Sequence, residues 1–183
     1  VWGLNAAMTA DTGRCECSAG SGGDATNPSV GCSACGTTSY KSDVGNAQCT
    51  ACPAGSSIAN QETQATSSDS CVCGLNAEMN TDTDRCECAA GYGGDATNAG
   101  IGCSACGTTS YKADVGNAQC TSCPPGSSIA DGDTDATSSD SCVCGVNAEM
   151  NTDTGRCECQ AGFGGDATNP RSEERRVGKE CER

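Results

Sequence analysis

The chain of 183 residues contains no histidine. That removes the commonest general base and metal ligand, and with it any Ser–His triad. Neither a G-x-S-x-G elbow nor a P-loop occurs, so the sequence predicts no enzyme. Only five residues are aromatic, and the large apolar residues (Val, Ile, Leu, Met, Phe, Trp, Tyr) number 21 in all, about a ninth of the chain. Burying one such side chain gives about 1.5–3 kcal/mol, whereas ordering any residue costs about 1–2 kcal/mol of backbone entropy. One large hydrophobic core is therefore excluded. No run of about 18 apolar residues exists, so no transmembrane segment is expected. Basic residues are scarce: ten Lys and Arg face 24 Asp and Glu, a net charge of −14. A nucleic-acid partner needs a basic face, so no nucleic acid is expected. No Asn-x-Ser/Thr sequon with a non-proline middle residue occurs.

What the chain has instead is cysteine, 19 residues, with 25 glycines. The cysteines obey a 71-residue repeat. Cys15, Cys17, Cys32, Cys35, Cys49, Cys52, Cys71 and Cys73 return as Cys86, Cys88, Cys103, Cys106, Cys120, Cys123, Cys142 and Cys144, and Cys157 and Cys159 restart the series. Segments 15–73 and 86–144 agree at 47 of 59 positions. The organisation is the end of a preceding repeat (1–14), repeat 1 (15–85), repeat 2 (86–156) and the start of a third (157–170). Residues 171–183 carry five of the ten basic residues and break the pattern. Their Arg-Ser-Glu-Glu-Arg-Arg-Val-Gly-Lys-Glu-Cys string resembles a translated sequencing adapter. We read them, with Cys181, as a non-native tail. The chain opens on Val1 without a charged-then-apolar leader and reads as a fragment.

No window shows an i, i+3, i+4 apolar stripe. The expected fold class is small and disulfide-rich. Tandem cysteine-rich repeats, mostly loop, would hold two or three short β-hairpins each and stack as an elongated rod. The glycine pairs Gly22-Gly23, Gly93-Gly94 and Gly164-Gly165 are expected to mark turns, and Ser39–Lys41 and Ser110–Lys112 to be extended.

Two chemistries compete for the cysteines. Disulfides closing loops of about 15 residues would each contribute about 3 kcal/mol in the chain-entropy model. They would place the protein in an oxidising compartment, secreted or at the cell surface. Alternatively, Cys32-x2-Cys35-x13-Cys49-x2-Cys52, with its copy from Cys103 to Cys123, has the spacing of a four-cysteine zinc site. Zinc leaves the C-x-C pairs without a role, and disulfides are preferred. A thioredoxin-like role for the C-x2-C pairs would need a βαβ pattern, which is missing.

Cys86-Glu87-Cys88-Ala89-Ala90-Gly91-Tyr92-Gly93 resembles the second half of an EGF-like domain. Phe163 takes the aromatic place in the third copy, and Ser21 departs from it in the first. Tyr111 to Gly126, matched by Tyr40 to Gly55, is similar to the cysteine-rich repeats of growth-factor and ephrin receptors. The long near-identical repeats rich in Ala, Thr, Ser and Cys look most like the immobilization antigens of ciliates. That resemblance covers residues 1–170 and implies an extracellular, typically lipid-anchored coat protein.

Sequential pairing of the cysteines gives Cys17–Cys32, Cys35–Cys49, Cys52–Cys71, Cys73–Cys86, Cys88–Cys103, Cys106–Cys120, Cys123–Cys142 and Cys144–Cys157. It leaves Cys15 and Cys159 single. The partner of Cys15 falls at Trp2, one base from a cysteine codon. The partner of Cys159 falls at position 174, inside the tail. The rival is an interleaved pattern, as in the first four cysteines of EGF modules.

Glu78, Asn80 and Asp82, repeated around Glu149 and Asn151–Thr154, could offer calcium a few oxygens at weak affinity; the alternative is an Asx-rich turn. No other cofactor is expected. Tyr40 and Tyr111 are expected to pack on disulfides. Runs such as Ala65–Ser70 could carry O-glycans. The longest stretch of difference between the repeats is Asn60–Gln64 against Asp131–Asp135, four of five positions. Two functions follow. The first is a structural coat or spacer ectodomain, with self-assembly along a surface. The second is a receptor or adhesion ectodomain with a protein or glycan ligand.

Overall fold

The computed structural model describes residues 4–10, 13–98, 100–165 and 167. Among them every strand pairs with its neighbour in sequence, and nine two-stranded antiparallel hairpins result. In chain order they are β1 (Ala6–Met8) with β2 (Cys15–Cys17), β3 (Ser21–Asp24) with β4 (Gly31–Ala34), β5 (Ser39–Tyr40) with β6 (Thr50–Ala51), and β7 (Ser56–Ile58) with β8 (Cys71–Cys73). The second set is β9 (Ala77–Asn80) with β10 (Arg85–Cys88), β11 (Tyr92–Asp95) with β12 (Gly102–Ala105), β13 (Ser110–Tyr111) with β14 (Thr121–Ser122), and β15 (Ser127–Ile129) with β16 (Cys142–Cys144). A last hairpin joins β17 (Ala148–Asn151) to β18 (Arg156–Cys159). There is no α-helix among the described residues, only short 3-10 turns such as Ser68–Ser70, capped by the Ser67 hydroxyl. A 71-residue repeat thus holds four hairpins, more than the two or three expected, because two-residue strands such as β5 and β6 leave no alternating pattern to read.

The turns follow local chemistry. Asn76 sits at φ +59° where β8 gives way to β9, and the Ala77 amide donates to the Gly74 carbonyl. Asn tolerates this left-handed conformation better than most residues. The turn presents Leu75 to solvent, 86% exposed.

Two of the three glycine pairs behave otherwise than expected. Gly22-Gly23 and Gly93-Gly94 lie inside β3 and β11, not in turns. Close approach explains the first glycine of each pair. A Cβ on Gly22 would stand 2.6 Å from the Cys49 nitrogen and 2.9 Å from its Sγ. On Gly93 it would stand 2.7 Å from the Cys120 Sγ. The Cys35–Cys49 and Cys106–Cys120 bridges are laid directly against these strands.

The chain divides into two compact units, Val1–Glu87 with Ala96–Ala99, and Cys88–Asp95 with Gly100–Arg183. Within the first, buried apolar residues are Cys17, Cys35, Ile58 and Cys86; within the second they are Cys88, Ile129, Ala136, Cys157 and Ala167. The interior is largely cystine, with one isoleucine per unit. Phe163 packs on Cys157 and Ala167, an aromatic ring against a cystine. Inside the first unit the Cys86 amide donates to the Ala54 carbonyl, and inside the second the Cys157 amide donates to that of Pro125.

Candidate functional site

The second strand of each hairpin is the element that organises the chemistry. In β8 and β16 the C-x-C spacing puts both sulfurs on one face, since side chains alternate. Cys71 lies opposite Ile58 and Cys73 opposite Ser56. From Cys32/Cys35 to Cys142/Cys144, one cysteine of each C-x-C or C-x2-C pair bonds to the hairpin before it and the other to the hairpin after it. The result is a ladder of eight bridges: Cys17–Cys32, Cys35–Cys49, Cys52–Cys71, Cys73–Cys86, Cys88–Cys103, Cys106–Cys120, Cys123–Cys142 and Cys144–Cys157. Their Cα separations run from 5.4 to 5.7 Å, where unforced disulfides lie. Sequence separations run from 13 to 19 residues, which makes each bridge worth about 3 kcal/mol in the loop-closure account. Bridges at this density form and persist in oxidising compartments. The chain is a disulfide-stapled extracellular domain, and no helix among the described residues is long and apolar enough to cross a membrane.

The zinc alternative fails on this pairing. Cys32 bonds backward to Cys17, and Cys52 forward to Cys71. No thiolate of the four is left to bind a metal. Among the described residues no group of three or more His, Cys, Asp or Glu side chains could hold a metal ion.

Cys15 and Cys159 part company. Cys15 is a free, half-buried thiol in β2, opposite Met8; Trp2 lies outside the described residues. Cys159, expected to be single, is disulfide-bonded. That expectation counted only cysteines of the repeat pattern as partners. Residues 171–183, including Cys181, also lie outside the described residues.

The residues considered for calcium form a hairpin lock. The Asn80 Oδ1 accepts from the amides of Asp82 and Thr83, and its Nδ2 donates to Glu87. Thr83 adds its hydroxyl to the same carboxylate. Asn151, Thr154 and Glu158 repeat the arrangement. The bonds from Asn151 and Thr154 hold the Glu158 carboxyl below the usual carboxylate range. Glu78 and Glu149 stand on β9 and β17.

Two features gave no signal in the sequence. Lys41 and Lys112 are each only 6% exposed. The Lys112 ammonium donates to three backbone carbonyls, Cys88 at 3.0 Å, Ala89 at 3.3 Å and Asp114 at 2.7 Å. The Lys41 ammonium donates to two, Cys17 at 3.3 Å and Ser18 at 3.4 Å. Burial pushes the Lys41 ammonium below the ordinary lysine range, and Asp43 and Glu16 draw it partly back. In each unit this cation pins the middle of one hairpin onto the cysteine strand of another.

The second feature is a convergence. The Tyr92 hydroxyl donates to the Asp135 carboxylate at 3.5 Å, and the Asp135 carbonyl lies against Gly91. In the first unit the Gln64 carbonyl lies against Gly20, and the Gln64 Nε2 donates to the Asn5 Oδ1 at 3.1 Å. The variable stretch 60–64 or 131–135 thus meets the chain beside the variable position 21 or 92 in each unit. No family model matches this chain, and no curated protein matches it significantly.

Proposed function

We propose that the chain is part of a structural coat: repeated, acidic, disulfide-stapled ectodomains that space or shield a cell surface and serve as a surface antigen, without enzymatic activity. The observation that carries this reading is the reuse of one bridged set of four hairpins with nearly unchanged sequence. A spacer needs only one unit copied, each contacting its neighbours in line. The resemblance of residues 1–170 to ciliate immobilization antigens points the same way, as does the acidic charge, which keeps neighbouring copies soluble. Anchoring by a lipid would then belong to the full-length protein. Small-angle scattering tests the spacer. A radius of gyration well above the roughly 16 Å of a compact globule this long is expected; a value near that of the globule overturns it. Antibodies against the repeats should also label intact, unpermeabilised source cells.

A second reading, a receptor or adhesion ectodomain, is favoured by the convergence of positions 92 and 131–135. There the end of the variable stretch, Asp135, meets the variable Tyr92. A partner retained by the natural chain and lost when 60–64 and 131–135 are exchanged would support it.

A further inference from the structure

The ladder leaves very little chain outside a closed loop. Between Cys17 and Cys157 only eleven residues lie outside every disulfide loop: 33–34, 50–51, 72, 87, 104–105, 121–122 and 143. All eleven belong to hydrogen-bonded second strands, β4, β6, β8, β10, β12, β14 and β16. None is lysine or arginine. The basic residues of this span are Lys41, Arg85, Lys112 and Arg156, and each falls inside a loop, closed by Cys35–Cys49, Cys73–Cys86, Cys106–Cys120 and Cys144–Cys157 respectively. The lysines are buried besides, their ammonium groups held by carbonyls. Arg85 and Arg156 are exposed.

We propose that the array resists severing by proteases of trypsin specificity: hydrolysis of any peptide bond after a basic residue in this span nicks a loop and leaves the chain covalently continuous. Each cut consumes one water and yields a carboxylate and an amine, both still tied to the ladder through the flanking cystine. Because no two of these eight bridges cross, the property is local to each loop and adds along the chain. An interleaved pairing would also hold nicked loops, but it would not let a single cut in a one-residue link part the array. Covalent survival after nicking is a useful property in an extracellular protein that meets secreted proteases, and it holds whether the chain is a coat or a receptor.

The test digests the full chain with trypsin, thiols blocked, in enough urea to open the strands while leaving the bridges intact. Without reductant, one covalent body spanning Cys17 to Cys157 is expected, trimmed at its ends after Arg14 and within the tail. With reductant the same sample should fall into pieces ending at Lys41, Arg85, Lys112 and Arg156. Two controls cut the links. A glutamate-specific protease should part the natural chain after Glu87, the only glutamate in a link between Cys17 and Cys157. Val72→Arg, at an exposed position in the Cys71–Cys73 link, should let trypsin separate the chain in two without reductant. Release of internal fragments from the natural chain before reduction would overturn the proposal. So would a chain that stays whole after proven cleavage at Glu87 or after position 72.

Discussion

Replacing Lys112 by Met keeps the side-chain stem and removes the ammonium. Three bonds from a charged donor are lost, to the carbonyls of Cys88, Ala89 and Asp114. Each charge-assisted bond is worth about 1.5–3 kcal/mol. Burying the ammonium costs several kcal/mol in return, which leaves a net loss of about 2 kcal/mol. The lost stability should be local. The Cys88 carbonyl also accepts from the Gly116 amide, and the Lys112 carbonyl from that of Gly91. Hydrogen exchange at these two amides reports opening of this joint. A loss of about 2 kcal/mol corresponds to exchange about 30-fold faster, at about 1.36 kcal/mol per factor of ten. The corresponding amides of the other copy, Gly45 and Gly20, should be unchanged in the same protein. Lys41→Met should give a smaller effect, because its two bonds are longer, 3.3 and 3.4 Å. Unchanged protection at Gly116 in Lys112→Met would refute the reasoning, since it would mean that desolvation cancels the bonds.

Gly22→Ala and Gly93→Ala should each cost about 1–3 kcal/mol through overpacking against a cystine and lower the refolding yield, whereas Gly36→Ala, with open space around its Cβ position, should refold normally. Native alkylation should modify one thiol among the described cysteines, Cys15; Cys15→Ser should leave the melting temperature unchanged. On acidification, Asp24 and Glu158 lose stabilising bonds. Their carboxyls sit low because Thr26 binds Asp24 and Asn151 binds Glu158. A depressed carboxylate stabilises above its unfolded value and loses that contribution as pH falls through the folded value. The melting temperature should therefore hold through neutral pH and begin to fall only below about pH 4.

Much of the fold was legible because it is written in spacing. Sixteen cysteines at repeated intervals, few large apolar residues and no helical periodicity point to stapled hairpins, and the ladder joins each cysteine of Cys17–Cys157 to its neighbour in sequence. What could not be read depends on where short strands meet. β5 and β6 have two residues each, too few to alternate. Gly22-Gly23 looked like a turn because its reason, the Cys49 sulfur, lies 27 residues away. The Lys41 and Lys112 ammonium groups look like solvated charge until backbone carbonyls are seen to enclose them. The Asn80–Thr83 motif, with Asp82 inside it and Glu78 just upstream, suggested a cation. Its asparagine and threonine are instead committed to Glu87 and to local amides.

The central claim is the sequential ladder, and disulfide mapping of the unreduced chain tests it most directly. Digestion at acid pH, where thiol exchange is slow, followed by mass spectrometry of the linked peptides, should return Cys35 joined to Cys49 and Cys52 joined to Cys71, with the same links at Cys106–Cys120 and Cys123–Cys142. Peptides joining Cys32 to Cys49 or Cys35 to Cys52, or free thiols at these positions with bound zinc, would contradict it.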